Sequence, residues 1–329
     1  MPRVVLVHET GGIERLRVEE HLPEAPREGE IGVVFETIGL NRAECAIRGG
    51  YYVQRPEMPT RLGFEGAGRV RAIGENVTGF AVGDYVSFIP GSTISRYGTY
   101  ADEAVMPAAL AVKTPESIAP EIAASMWMAY LTAYGGLVEA GAMRAGETVL
   151  ITAASSSVGL AALQVCRKLG AVPIATTRGP EKAARLREAG AEHVVVTNET
   201  PVDEAVMVLT AKQGASLIFD PVSGEGVEAL GRAAAFNGRI ILYGGLGGNF
   251  APYPFGPGLM KGLTLRAFYL LELTHKPDWF ARGKQFVLDD IAYETLKPTI
   301  DRVFDLSDVA AAHNYLDSGE RFGKVLMKT

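Results

Sequence analysis

ETVLITAASSSVGLAALQVCRKLG, residues 147–170, decides how this chain folds. It opens with a short apolar run (147–152), passes through a turn of small residues, and continues with apolar residues at helical spacing (157–170). The first run is too short for a helix and reads as a buried strand. The same alternation continues downstream. AVPIATT (171–177), HVVVT (193–197), SLIFD (216–220) and RIILYGG (239–245) read as strands. PEKAARLREAG (180–190), DEAVMVLTAKQ (203–213) and EGVEALGRAAA (225–235) read as the helices between them. Val/Ile runs separated by helices predict an α/β class: a doubly wound parallel sheet covered on both faces. Its ligand belongs at the carboxyl ends of the strands.

The turn itself, AASSSVG (153–159), stands where a dinucleotide-binding protein carries G-x-G-x-x-G. Aligned on that pattern, Ala154 and Ser156 take the first two glycine slots and Gly159 the third. The slots serve a tight turn, close approach of backbone to a pyrophosphate, and close helix–strand packing. The amides of Ser156, Ser157 and Val158 would lie at a helix N-terminus, which favours an anion, and the hydroxyls of Ser155, Ser156 and Ser157 add donors. The other reading is an N-capped turn with no ligand, since serine is an ordinary N-cap. The next strand end bears on the choice. An NAD site has an acidic residue there to hold the ribose 2′-hydroxyl. Here Thr177 is uncharged, Arg178 follows and Lys182 lies a helical turn on, a set that suits the 2′-phosphate of NADPH. The alternative is a solvated basic helix start, with its cations placed against the helix dipole.

The N-terminal third reads differently. VVLV (4–7), IGVVFETIGL (31–40), AGRVRAIG (67–74) and DYVSFI (84–89) alternate with turn clusters such as GENVTG and PGSTIS, the pattern of an all-β unit. Segment 41–48 fits one or two helical turns, and a helical pattern starts near Pro120. After residue 270 the chain is mixed, with helical PDWFARGKQFVLDDIAYETL and strand-like TIDRVF and GKVLMK. The 329 residues suffice for about two domains. A net charge of −6 offers no basic field for nucleic acid or an anionic membrane. The two cysteines, Cys45 and Cys166, suit a reducing compartment, and the start has no secretory pattern, so a cytoplasmic protein is expected. The most apolar region, 118–143, is broken by Glu121, Glu139 and glycines and makes a poor membrane span.

Several stretches together carry a family resemblance: GLNRAECAIRGGYY (39–52), LGFEGAGRVRAIGENVTGFAVGDYV (62–86), YLTAYGGL (130–137), AASSSVGL (153–160) and GKVLM (323–327). Over nearly its full length the chain resembles the medium-chain dehydrogenase/reductase superfamily, in its zinc-free NADPH:quinone oxidoreductase-like branch. The resemblance implies a GroES-like β-rich catalytic domain from residues 1–120 and 270–329. It also implies a Rossmann NADPH-binding domain over 121–269, and often a homodimer joined through the Rossmann sheet edges. It implies cofactor contacts at Asn41, Thr132, Val222, Gly244, Gly245 and Lys324, beside those of the turn and of Thr177, Arg178 and Lys182.

Zinc-dependent relatives carry a cysteine at the slot of Asn41, a histidine at that of Phe64 and a third ligand near Met128. Asn, Phe and Met are not a zinc set, so no metal is expected. The five histidines are scattered. Without a metal, nothing stabilises the alkoxide of a simple alcohol. A quinone or an α,β-unsaturated carbonyl asks only for a hydrogen-bond donor and a proton source. The resemblance offers Asn41 and Tyr52 as catalytic residues, Tyr52 as the proton donor of related enoyl-thioester reductases. Ala46 stands where several quinone reductases have a tyrosine, and Arg42 and Arg48 are candidates for an acidic or oxygen-rich substrate. Leu62, Trp127, Tyr130, Phe250, Tyr253, Phe255 and Phe268 are candidate pocket residues. The expectation is an NADPH-dependent reductase of a quinone or conjugated carbonyl. The alternatives are an enoyl or enone reductase of a biosynthetic pathway, a non-enzymatic NADPH-binding protein and, against the ligand slots, a zinc alcohol dehydrogenase.

Overall fold

The structure is a computed structural model that describes residues 1–22, 24–91 and 94–329; Ser92 and Thr93 of the PGSTIS turn lie outside the described residues. In chain order it begins β1 (Arg3–Val7), β2 (Leu16–Glu20), β3 (Glu30–Leu40), α1 (Arg42–Gly49), β4 (Thr60–Arg61), β5 (Glu65–Ile73), β6 (Tyr85–Phe88), α2 (Ile94–Tyr97), β7 (Glu103–Pro107) and β8 (Ala111–Lys113). The middle runs α3 (Pro120–Ala123), α4 (Trp127–Tyr134), β9 (Thr148–Ile151), α5 (Ser157–Lys168), β10 (Val172–Thr177), α6 (Ala183–Glu188), β11 (His193–Val196), α7 (Val202–Leu209) and β12 (Ala215–Asp220). It continues through α8 (Val227–Ala233), β13 (Ala234–Leu242), α9 (Phe255–Lys261), β14 (Thr264–Ala267), α10 (Leu270–Thr274) and α11 (Pro277–Ala292). The chain closes with β15 (Ile300–Asp305), α12 (Val309–Ser318) and β16 (Lys324–Lys328).

Contacts divide the chain into one unit of Met1–Met128 with Lys297–Thr329 and a second of Ala129–Leu296. In the first, the long strand β3 pairs antiparallel with β5, β7 and β16, which gives the seven-stranded sheet its centre. Alternating residues of β3 (Ile31, Val33, Phe35) enter a core shared with Val70, Val86 and Phe88. The C-terminal strand β16 closes on β3 with Val325 opposite Leu40, so the start of β16 lies beside the start of α1.

The second unit is a six-stranded sheet in the order β11-β10-β9-β12-β13-β14, with every pair parallel. In sequence rank this is the doubly wound order 3-2-1-4-5-6, which reverses between β9 and β12. Val149, Leu150 and Ile151 of β9 are fully buried, as a central strand covered on both faces requires. The unit runs to Leu296, past the boundary expected at 269. Helix α11 is anchored within it: Phe286 packs on Tyr134 with ring centroids 4.9 Å apart, Arg282 pairs with Glu139 at 2.9 Å, and Lys168 pairs with Asp290 at 2.7 Å. Helix α8 stops at Ala233 rather than at 235, because Lys261 donates to the carbonyls of Arg232 and Ala234 at 2.7 Å and caps its end. The helical stretch after Pro120 is three pieces: α3, α4 and a π-helical turn over Gly135–Ala140. Among the described residues no helix is long and apolar enough to cross a membrane.

Candidate functional site

The carboxyl ends of β9, β12 and β13 gather the first group of residues. At the turn after β9, Ser156 is the N-cap of α5, and its Oγ accepts from the Gly159 amide at 3.0 Å. The Ser156 amide donates to the Ala153 carbonyl at 3.0 Å, so it is not among the outward-facing donors expected there. The amides of Ser157 and Val158 sit in the first helical turn, where no intrahelical acceptor exists. Ser155, Ser157 and Val158 are half-buried and Ala154 is buried. The residue in the left-handed region is Ala153, with φ +46°, one place before the slot assigned to the first glycine. Gly159 fills the third slot for a geometric reason: a Cβ there would lie 2.6 Å from the Cα and carbonyl oxygen of Ala154. Ser156 thus serves as N-cap while the first-turn amides of Ser157 and Val158 stay without an intrahelical acceptor. A pyrophosphate fits the chemistry of this turn.

The neighbouring ends shape the rest. Thr177 ends β10 buried, its hydroxyl donating to the Gly179 carbonyl at 3.1 Å, while Arg178 is exposed and Lys182 half-buried. Asp220, at the end of β12, is a residue that sequence reasoning passed over inside DPVSG. It is 1% exposed, accepts from the Thr152 hydroxyl at the end of β9, and accepts from the amides of Val222 and Ser223 at 3.1 and 2.7 Å. Burial pushes its carboxyl up from the ordinary range. Asp220 therefore ties β9 to β12 at the point where the strand order reverses. Ser223, at φ +59°, donates from Oγ to the Gly244 carbonyl at 2.7 Å, linking β12 to the exposed glycines Gly244 and Gly245 after β13. Gly244 admits no side chain, since a Cβ would meet the Pro221 carbonyl at 2.9 Å. Thr132 is buried in α4.

The first unit holds the second group. Asn41 caps α1 and is 7% exposed; its amide donates to Glu44 Oε2 at 2.8 Å. Its Nδ2 lies 3.3 Å from Glu44 Oε1, and its Oδ1 accepts from Lys324 Nζ at 2.6 Å. Lys324 also pairs with Glu65, and both side chains are almost wholly buried. Glu65 Oε2 accepts from the Met128 amide at 3.0 Å, and Glu44 Oε1 accepts from the Phe64 amide at 3.2 Å. Burial pushes the Glu44 carboxyl up to about 7, against the pull of the Lys324 ammonium. The Lys324 ammonium, expected at the cofactor, bonds Asn41 and Glu65 of its own unit. Of the three slots, Asn41 and the Met128 amide bond the Lys324–Glu65 ion pair, while the Phe64 amide bonds the neighbouring Glu44. Among the described residues no three of His, Cys, Asp and Glu form a metal-holding group.

Tyr52 is partly buried against the core, its ring centroid 6.1 Å from that of Phe64. Arg42 and Arg48, candidates for an acidic substrate, instead both pair with Asp317 of α12, and Arg48 donates to His313 Nδ1 from 2.8 Å. They hold α1 to α12. Of the apolar pocket candidates, Leu62, Trp127, Tyr130 and Phe268 are core residues, whereas Phe250, Tyr253 and Phe255 are exposed.

The comparisons with known proteins agree with this division. A family described as alcohol dehydrogenase GroES-like domain matches residues 27–116, and one described as zinc-binding dehydrogenase matches 157–283. The quinone oxidoreductase of Pseudomonas aeruginosa is 30% identical over 96% of both chains. The synaptic vesicle membrane protein VAT-1 homolog of Rattus norvegicus is 28% identical over 96% of this chain and 81% of its own. The crystal structure of Escherichia coli quinone oxidoreductase complexed with NADPH superposes with a TM-score of 0.93, at 27% identity over the whole of both chains.

Proposed function

Because the chain belongs to the medium-chain dehydrogenase/reductase superfamily, in its quinone oxidoreductase-like branch, and is an NAD(P)-dependent oxidoreductase, we propose that it uses NADPH, without zinc, to reduce a quinone or an α,β-unsaturated carbonyl. The observation that carries this reading is the buried Lys324 ammonium, bonded to Asn41 and Glu65 among the three slots that ligate zinc in zinc-dependent relatives. A fixed cation there repels a second one, and Asn, Phe and Met offer a divalent ion no ligand set.

Bound NADPH supplies the hydride. The chain's residues hold it and its acceptor. The amides of Ser157 and Val158 and the hydroxyls of Ser155 and Ser157 take the pyrophosphate, over Ala154, Ser156 and Gly159. Arg178 and Lys182, beside the uncharged Thr177, take the 2′-phosphate. Thr132, Val222, Gly244 and Gly245 complete the cofactor contacts. Asn41 donates a hydrogen bond to the acceptor's carbonyl oxygen, which gains the electron pair when the conjugated carbon takes the hydride. Tyr52 gives the proton that completes the reduction and is reprotonated from water. The P. aeruginosa and E. coli relatives support the quinone as acceptor by name. The same donor and proton source equally suit an enone. We place the protein in the cytoplasm, where its two free cysteines stay reduced. We also propose a homodimer joined along β14 and α9.

The test follows NADPH oxidation by absorbance with a quinone and an α,β-unsaturated ketone in parallel, chelator present. Turnover of either, with NADPH preferred over NADH by at least ~10-fold and Arg178→Ala abolishing the preference, is the expected result. Activity that dies with chelator, or a preference for NADH, overturns the reading.

A further inference from the structure

Asn41 is held in a way that its hydrogen-bonding role as donor alone does not require. A lysine ammonium has only donors, so its 2.6 Å partner on Asn41 must be the oxygen Oδ1. The nitrogen Nδ2 then faces Glu44 Oε1 at 3.3 Å, and that oxygen already accepts from the Phe64 amide. The flipped carboxamide would set NH₂ against NH₃⁺. Of the two Nδ2 hydrogens, one goes to Glu44. Among the described residues the other has only the Gly39 carbonyl at 3.4 Å, the long limit of a hydrogen bond.

The fold makes room for this arrangement. The register of β16 on β3 sets Lys324 beside Asn41. At Gly39 a Cβ would run into the Ala124 carbonyl oxygen and lie 2.8 Å from Glu65 Cγ and 3.0 Å from Lys324 Cε, so a glycine there admits both the Ala124 backbone and the ion pair. An ammonium bound to an amide oxygen draws electron density from the amide and makes its N–H a stronger donor.

We propose that Lys324 and Glu44 are positioning residues that lock the Asn41 carboxamide with Nδ2 as the available donor, and that Lys324 strengthens that donor for an acceptor oxygen gaining charge. An internal ammonium, acting through an amide, thereby does part of what a Lewis acid does for a carbonyl. The inference rests on the reading that Asn41 meets the acceptor's carbonyl oxygen.

The test uses the pair K324M/E65Q, which removes both charges together and leaves neither buried unpaired. With an α,β-unsaturated ketone, kcat is expected to fall ~10–100-fold while the NADPH Kd, from nicotinamide fluorescence, stays unchanged. In an N41A background the same pair should cost less than ~3-fold further, because its effect passes through Asn41. Equal losses in both backgrounds, or no loss in either, overturn the proposal. A wild-type protein inert toward every acceptor would count against the proposed function, and the lock is then read without turnover. In protein labelled with ¹⁵N-asparagine, the Asn41 NH₂ resonances, identified by their loss in N41A, should move upfield and exchange faster in K324M/E65Q. Unmoved resonances overturn the lock whatever the activity.

Discussion

At the scale of single residues, the turn after β9 makes a contrast that two substitutions expose. Ala153 holds φ +46°, a conformation that costs an L-residue ~1–2 kcal/mol. Ala153→Gly removes that cost and is expected to stabilise the protein by ~0.5–1 kcal/mol in denaturant melts, with NADPH binding intact. Gly159→Val does the reverse, because its Cβ would enter the backbone of Ala154 at 2.6 Å. The turn must then move, and the NADPH Kd should rise at least ~10-fold. Unchanged binding in Gly159→Val would remove the turn from the cofactor site. Much of this was legible in the sequence: the small residues and Gly159 mark a close approach. The left-handed residue was not, since Ala153 and Ala154 look alike until the backbone is traced. Asp220 and the Lys324–Glu65 pair were hidden for another reason. Their meaning lies in partners 68 and 259 residues away, which no local pattern carries.

At the scale of elements, period and length sufficed for the parallel sheet: Val/Ile strands between amphipathic helices leave few topologies. Boundaries failed where a distant side chain decides them, as at the end of α8, capped by Lys261. The β-rich unit was legible as strands and turns, but not in its pairing, because β3 serves three partners along one strand. A strand with one open edge carries the dimer prediction. Among the described residues β14 ends the six-stranded sheet with one side unpaired, and the preceding α9 exposes Phe255, Leu259 and Met260 at 70, 75 and 79%. Such apolar exposure beside an open strand edge suits a second copy of the chain. Light scattering after gel filtration should give twice the 35.1 kDa chain mass, and Leu259→Glu with Met260→Glu should give the monomer. A monomeric wild type would sink the assembly while leaving the cofactor site standing.

At the scale of the whole molecule, stability against pH joins two buried groups of the first unit whose effects oppose. Burial, with Arg48 adjoining, pushes His313 down from 6.5 to about 3, so it stays neutral in the folded protein while the unfolded chain takes a proton below 6.5. Its contribution is whole above 6.5 and is lost as pH falls toward 3. Burial pushes Glu44 up from 4.5 to about 7, so the folded protein keeps a proton that the unfolded chain releases. Stability from that source is whole below 4.5 and is lost as pH rises to about 7. Between 4.5 and 6.5 the unfolded chain gains a proton at one group and loses one at the other, and the two slopes cancel. Removing either group should unmask its opponent at about 1.4 kcal/mol per pH unit. Denaturant melts across that window should therefore be flatter for wild type than for either single variant, apart from a rise with pH that His21, also held below 6.5 by burial, adds to all three. They should rise with pH in Glu44→Gln and fall with pH in His313→Asn, each on top of a constant cost from the altered hydrogen bonds. Parallel profiles for all three proteins would mean that neither group keeps its buried proton state in the folded chain. The Glu44 carboxylate would then be ionised throughout, and the Asn41 amide would rest on a full charge on either side.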